Sequence, residues 1–135
     1  MTEPEKTYLR AVKILSASDN TPQALYKKLR AKGSSQEDSV QAVNRLVAEG
    51  FLNESKLLEK TVSSLYEKKY GPEYVKAALI KKDFSKKAIK CAEQMIEELD
   101  FDATRKELIK ELAASGKDEA GIAAALYRRG FEAEP

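Results

Sequence analysis

Apolar residues recur at steps of three and four along almost the whole chain, the spacing that places them on one face of an α-helix. Leu25 with Leu29, and Val40 with Val43, Leu46 and Val47, are examples. No stretch shows the strict alternation typical of a half-buried strand. The pattern predicts an all-α fold of about eight helices, six of them at residues 5–18, 21–32, 36–49, 54–69, 72–82 and 86–99.

The sequence repeats itself when it is shifted by fifty residues. Like residues then superimpose: Val12 on Val62, Leu15 on Leu65, Pro22 on Pro72, Leu29 on Leu79, Lys32 on Lys82, Ala42 on Ala92, Leu46 on Ile96 and Phe51 on Phe101. A shift of ninety-seven places Leu112 on Leu15, Ile122 on Leu25, Leu126 on Leu29 and Gly130 on Gly33. We therefore predict three-helix units over residues 1–53 and 54–101 and a shortened unit over 102–135, in an elongated, curved array.

The repeat also predicts the core and the helix starts. We expect burial at the matched apolar positions Leu15, Leu29, Leu46, Phe51, Leu65, Leu79, Ile96 and Phe101, with the two phenylalanines as wedges between successive units. Cys91 is interpreted as a small buried residue. Pro22 and Pro72 each suit the first turn of a helix, where the missing N–H has no partner to lose, so Gly71-Pro72 is mainly a helix start. Gly33 suits the left-handed residue that ends a helix.

Composition limits the cellular compartment and the kinds of catalytic or metal site that can be expected. The chain has 135 residues, 34% of them charged, and no apolar run near the roughly 20 residues that span a bilayer. Its first residues lack the apolar core of a signal peptide, so we predict a cytoplasmic protein without membrane contact. Without histidine and with one cysteine, the common zinc sites and Ser–His or Cys–His nucleophiles are excluded. No phosphate-binding glycine motif occurs, and we predict a non-enzyme that needs no cofactor or metal.

Charge is unevenly distributed along the chain. Residues 54–90 hold ten lysines and five acidic residues, a net charge of +5, whereas residues 91–135 hold six basic and eleven acidic residues, a net charge of −5. Five lysines are predicted around the junction of two helices: Lys76, Lys82, Lys86, Lys87 and Lys90. Such a cluster attracts phosphates or acidic protein surfaces within about 10 Å. A solvated helix face is the alternative interpretation.

Four further residues are candidates for a partner surface. Tyr70 and Tyr74 flank the Gly-Pro break, so they can stack on a partner or pack against the neighbouring unit. Arg128 and Arg129 can pair with carboxylates across an interface, although both also suit the negative end of a helix dipole.

Three motifs together resemble the RecX regulatory proteins of bacteria. They are GFLNE at residues 50–54, YGPEYV at 70–75 and YRRGF at 127–131, in the order and spacing of that family. The chain departs from the family pattern at Leu57-Leu58, where a Phe-Ala pair is usual, and at KKDF, which replaces the common Lys-Gly. The last helix of the family is also missing.

The resemblance implies a monomeric modulator of RecA, the recombinase that polymerises on single-stranded DNA. RecX proteins lie in the groove of the RecA filament and restrain its growth, strand exchange, ATP hydrolysis and co-protease activity in the SOS response and DNA repair. Single-stranded DNA within the filament is a further expected contact. Two other functions stay open: a sequence-independent nucleic-acid-binding protein, and a helical scaffold for another acidic protein. Few arginines and no base-reading helix count against the first.

Overall fold

The computed structural model describes residues 1–132, in which every regular element is an α-helix. The eight helices are α1 (Glu3–Ala17), α2 (Pro22–Ala31), α3 (Gln36–Ala48), α4 (Glu54–Glu67), α5 (Pro72–Lys81), α6 (Lys86–Glu98), α7 (Phe101–Ala114) and α8 (Glu119–Arg128). The predicted all-α fold is confirmed, and the six predicted helices agree with the observed ones to within two residues at each end.

The helix boundaries repeat as the sequence does. Helices α2 and α3 recur fifty residues later as α5 and α6, and α4 and α5 recur forty-seven residues later as α7 and α8. The sum of these two offsets equals the shift of ninety-seven residues found in the sequence. Side chains that accept backbone N–H bonds begin several of these helices, among them Thr2, Thr21, Ser35, Asp100 and Asp118.

The chain forms two compact units. The first compact unit comprises Met1–Leu58 and Lys82–Ala88, and the second comprises Glu59–Lys81 and the chain from Ile89 onwards. In the first, α1, α2 and α3 pack together around Leu25, Leu29 and Leu46. In the second, α7 packs on α8 around Leu108, Leu126 and Phe131. The three repeat boundaries inferred from the sequence stay a prediction.

Several predicted core positions are correct, and one is wrong. Leu29, Leu46, Leu79 and Ile96 are buried, whereas Leu15, Leu65 and Phe101 are only half-buried. Phe51 is 72% exposed. The chain leaves α3 through Gly50, which has a φ of 81°, and the next two amides, of Phe51 and Leu52, both donate to the Leu46 carbonyl. This turn buries Leu52, not Phe51.

The repeat explains why Phe51 and Phe101 differ. Phe101 is the first residue of α7, and its ring meets the Tyr66 ring edge to face, with the centroids 5.3 Å apart. Fifty residues before Tyr66 stands Ser16, which offers Phe51 no such ring. The prediction for Cys91 is also wrong, because its side chain is exposed on α6.

Candidate functional site at the joint of α5 and α8

Two of the three sequence motifs, YGPEYV and YRRGF, meet in the second compact unit. The Gly71 amide donates to the Arg129 carbonyl at 2.6 Å, and the Glu73 amide donates to the Gly130 carbonyl at 3.1 Å. The first turn of α5 thereby receives carbonyl partners for N–H groups that have none within the helix. We call this backbone contact the glycine joint.

The glycine joint has no room for side chains between its two backbones. A Cβ atom on Gly71 would lie 2.5 Å from the Gly130 carbonyl oxygen, and one on Gly130 would lie 2.3 Å from the Tyr74 nitrogen. Gly130 also has a φ of 89°, a conformation that residues with a Cβ rarely adopt. Gly71 is therefore more than the helix start that the sequence suggested, because it allows close approach of a distant turn.

Aromatic and cationic side chains surround the joint. The Tyr70 and Tyr74 rings are stacked, with centroids 3.9 Å apart and planes 12° from parallel. The Arg129 guanidinium lies 4.5 Å from the Tyr70 centroid, and its Nε donates to the Lys69 carbonyl at 3.0 Å. Its Nη2 also bonds the Lys68 carbonyl. The hydrogen bond with Tyr70 raises the pKa of Tyr74. Arg129 and Tyr70 thus make internal contacts, which the sequence did not distinguish from partner contacts.

Lys69 ties the same segment to α7. It has a φ of 65°, and its Nζ lies 3.1 Å from Glu107 Oε1 and also pairs with Glu111. The hydrogen bond to Glu111 raises the pKa of Lys69 most, and the hydrogen bond to Glu107 raises it further.

The outward side of α8 carries Tyr127 and Arg128. Tyr127 is 75% exposed, and Arg128 is exposed beside it. Tyr127 was missed as a site residue, although the match of Leu126 to the predicted core residue Leu29 already places residue 127 off the inward face.

The first compact unit contains a matching joint of different chemistry. The Thr21 hydroxyl accepts the Ala24 amide and donates towards the carbonyls of Lys82 and Asp83, at 3.2 and 3.1 Å. Lys27 Nζ pairs with Asp83 Oδ1 at 2.9 Å. Asp83 has a φ of 61°, so its backbone has a positive φ as that of Gly130 does. We call this contact the threonine joint.

The five predicted site lysines are distributed over both units. Lys82, Lys86 and Lys87 belong to the first compact unit and are exposed. Lys76 and Lys90 belong to the second; Lys90 is exposed, and Lys76 is half-buried and lies 3.5 Å from Glu73. On the same helices Val75, Leu79 and Ala92 are buried, whereas Ala78 and Ile89 are half-buried. Whether the lysines act as one surface stays a prediction.

The described residues contain neither a metal-binding cluster nor a membrane-spanning helix. Within residues 1–132, no group of three or more acidic or cysteine side chains is arranged to hold a metal ion. None of the helices described above is long and apolar enough to cross a membrane.

The fold defines a helical protein built from repeated units, and comparison with known proteins places it beside RecX. No family model matches the sequence. The regulatory protein RecX of Trichlorobacter lovleyi is 36% identical over 63 residues, which are 47% of this chain and 41% of that relative. The match therefore spans less than half the length of this curated relative.

Two solved structures share the fold. The crystal structure of RecX from Lactobacillus salivarius matches with a TM-score of 0.80 and 22% identity, over 96% of this chain and 89% of that one. A second crystal structure of regulatory protein RecX matches with a TM-score of 0.73 and 20% identity, over 96% and 68%. The likeness in sequence and the likeness in fold together confirm the resemblance to the RecX family.

Proposed function

We propose that this protein is a RecX-type regulator that binds RecA filaments and restrains their recombinase, ATPase and co-protease activities. The observation that carries the proposal is the fold likeness to RecX crystal structures, which extends over 96% of the chain. The meeting of the YGPEYV and YRRGF motifs in the glycine joint also supports it, because the two segments that resemble the RecX family lie in contact.

Exposed lysines within residues 54–90 supply contacts for this partner. Residues 54–90 carry a net charge of +5, and Lys82, Lys86, Lys87 and Lys90 are exposed. Exposed ammonium groups attract acidic side chains of RecA or the DNA phosphates of the filament. Each single contact is worth only about 0 to 1 kcal/mol, so the lysines act through the sum of their charges.

Inhibition of RecA tests the proposal directly. The parent protein should slow ATP hydrolysis by RecA on single-stranded DNA, and a variant with Lys82, Lys86, Lys87 and Lys90 changed to Glu should lose that inhibition. A matched control changes Lys13, Lys32, Lys106 and Lys110 to Glu, four exposed lysines with the same total charge reversal. Far-UV circular dichroism should report the same helical signal for all three proteins.

The outcomes separate the function from the surface. A parent protein that leaves RecA unaffected contradicts the proposed function. Inhibition by the parent and by the variant alike contradicts only the role of the lysines. Salt then identifies the contact, since binding to phosphates should weaken with a log–log slope of about −0.7 per phosphate on a single strand. A shallow slope indicates contacts with protein.

A further inference from the structure

We infer that Tyr127 and Arg128 of α8, with Tyr74 of α5, form a second contact surface, which binds a carboxylate-bearing protein surface. The inference rests on the proposed function in taking the RecA filament as that partner. Three facts carry it: the exposure of these side chains, their common attachment to the glycine joint, and the internal contacts of their neighbours Tyr70 and Arg129.

Attachment to one joint holds the three residues in fixed positions. The Gly130 amide donates to the Tyr127 carbonyl at 3.0 Å, and the backbone of Tyr74 lies against Gly130 so closely that a Cβ there would overlap it. The Tyr74 ring is further held by its stack on Tyr70. A partner therefore meets side chains whose backbones are already ordered, which lowers the entropic cost of binding.

Internal packing does not account for Tyr127 or Arg128. Tyr127 is 75% exposed, and over residues 1–132 its ring stacks on no other ring. For Arg128, no carboxylate of the described residues lies within ion-pair distance. Arg129, one residue along, donates to two backbone carbonyls instead. Tyrosine and arginine are the residue types enriched among those that dominate binding energy at protein interfaces.

The charge of this surface favours a protein partner over a nucleic-acid partner. Arg128 is the one cation among the three residues of this surface, and the nearby Lys69 and Lys76 pair with Glu107, Glu111 and Glu73. A nucleic-acid backbone requires a row of cations along its phosphates. A surface with one guanidinium and two phenol groups instead fits a carboxylate set among apolar side chains, which the guanidinium binds in a bidentate manner.

The test compares variants for binding to RecA filaments assembled on a fluorescent single-stranded oligonucleotide, measured by co-sedimentation. The double variant Tyr127→Ala with Arg128→Glu should bind about tenfold more weakly or worse, as expected for residues that dominate an interface. Tyr127→Phe should bind as the parent does. The control Leu9→Ala with Lys13→Glu makes the same kind of change at two exposed positions of α1 and should stay within about twofold.

The same proteins are also titrated with the oligonucleotide alone. Equal filament binding by parent and double variant overturns the inference and leaves the proposed function standing. Weakened binding to the free oligonucleotide by the double variant assigns the surface to DNA and also overturns it. A parent that does not bind filaments overturns the proposed function, and this inference with it. Far-UV circular dichroism checks that the double variant keeps its helices.

Discussion

The threonine joint and the glycine joint solve the same problem with different chemistry. In each, a turn with a left-handed residue approaches the first turn of a helix that begins with proline. Thr21 bridges its joint with a hydroxyl, whereas Gly71 lets the two backbones bond directly. The first joint depends on a side-chain hydrogen bond, and the second depends on the absence of a side chain. Residues at matching repeat positions are therefore not interchangeable.

The largest expected effect comes from adding one methyl group to the glycine joint. Gly130→Ala should lower the free energy of unfolding by about 2 to 5 kcal/mol, because it combines an unfavourable left-handed residue with overlap against Tyr74. Gly33→Ala is the matched control, since Gly33 has a φ of 96° but open space around its Cβ, and it should cost about 1 to 2 kcal/mol. Urea denaturation followed by circular dichroism measures both. Equal losses would mean that the close approach at Gly130 contributes nothing.

An intermediate effect is expected from removing the hydroxyl of the threonine joint. Thr21→Val keeps the shape of the side chain but leaves the Ala24 amide and the Asp83 carbonyl without their partner, so stability should fall by about 1 to 2 kcal/mol. Thr21→Ser restores the hydroxyl and should recover most of the loss. The same denaturation measurement applies, and a Val variant as stable as the Ser variant would show that the hydroxyl is dispensable.

The smallest effect concerns alkaline pH in the second compact unit. Hydrogen bonds to Glu111 and Glu107 raise the pKa of Lys69 in the folded state. Charged Lys69 therefore stabilises the folded state fully below the pKa of an unfolded lysine, about 10.4. This contribution is lost as pH rises through the pKa of Lys69 in the folded state. Lys69→Met should flatten the decline of stability above about pH 10, whereas Lys106→Met, at an exposed position of α7, should not. Parallel pH profiles for Lys69→Met and the parent would contradict this assignment.

The local spacing of apolar residues was sufficient to predict the helices. It was not sufficient to predict the contacts between distant segments. The spacing of Leu25 and Leu29 identifies an inward face whatever lies opposite, and both are buried. Arg129 could not be assigned in this way, because its partner Lys69 is 60 residues away and is a backbone carbonyl, which leaves no mark in the sequence.

The error at Phe51 has a related cause. Periodicity specifies direction only inside a helix, and Phe51 follows Gly50, where the backbone turns with positive φ. The repeat suggested a wedge because Phe101 matches it, but burial of Phe101 depends on the Tyr66 ring, for which the first repeat has serine. Of the candidate site, the sequence identified Tyr74 and Arg128. It missed Tyr127, although the match of Leu126 to Leu29 already placed residue 127 off the inward face of α8.

The glycine joint also bears on the order in which the chain can fold during synthesis. A ribosome releases residues from the amino terminus, and native contacts form only once both participants have left the exit tunnel. The amide of Gly71 therefore waits for the carbonyl of Arg129, which emerges 58 residues later. Until then the start of α5 has only water to bond its first amides. Completion of the second compact unit thus follows the emergence of Arg129, whereas the threonine joint of the first can close once Asp83 has emerged.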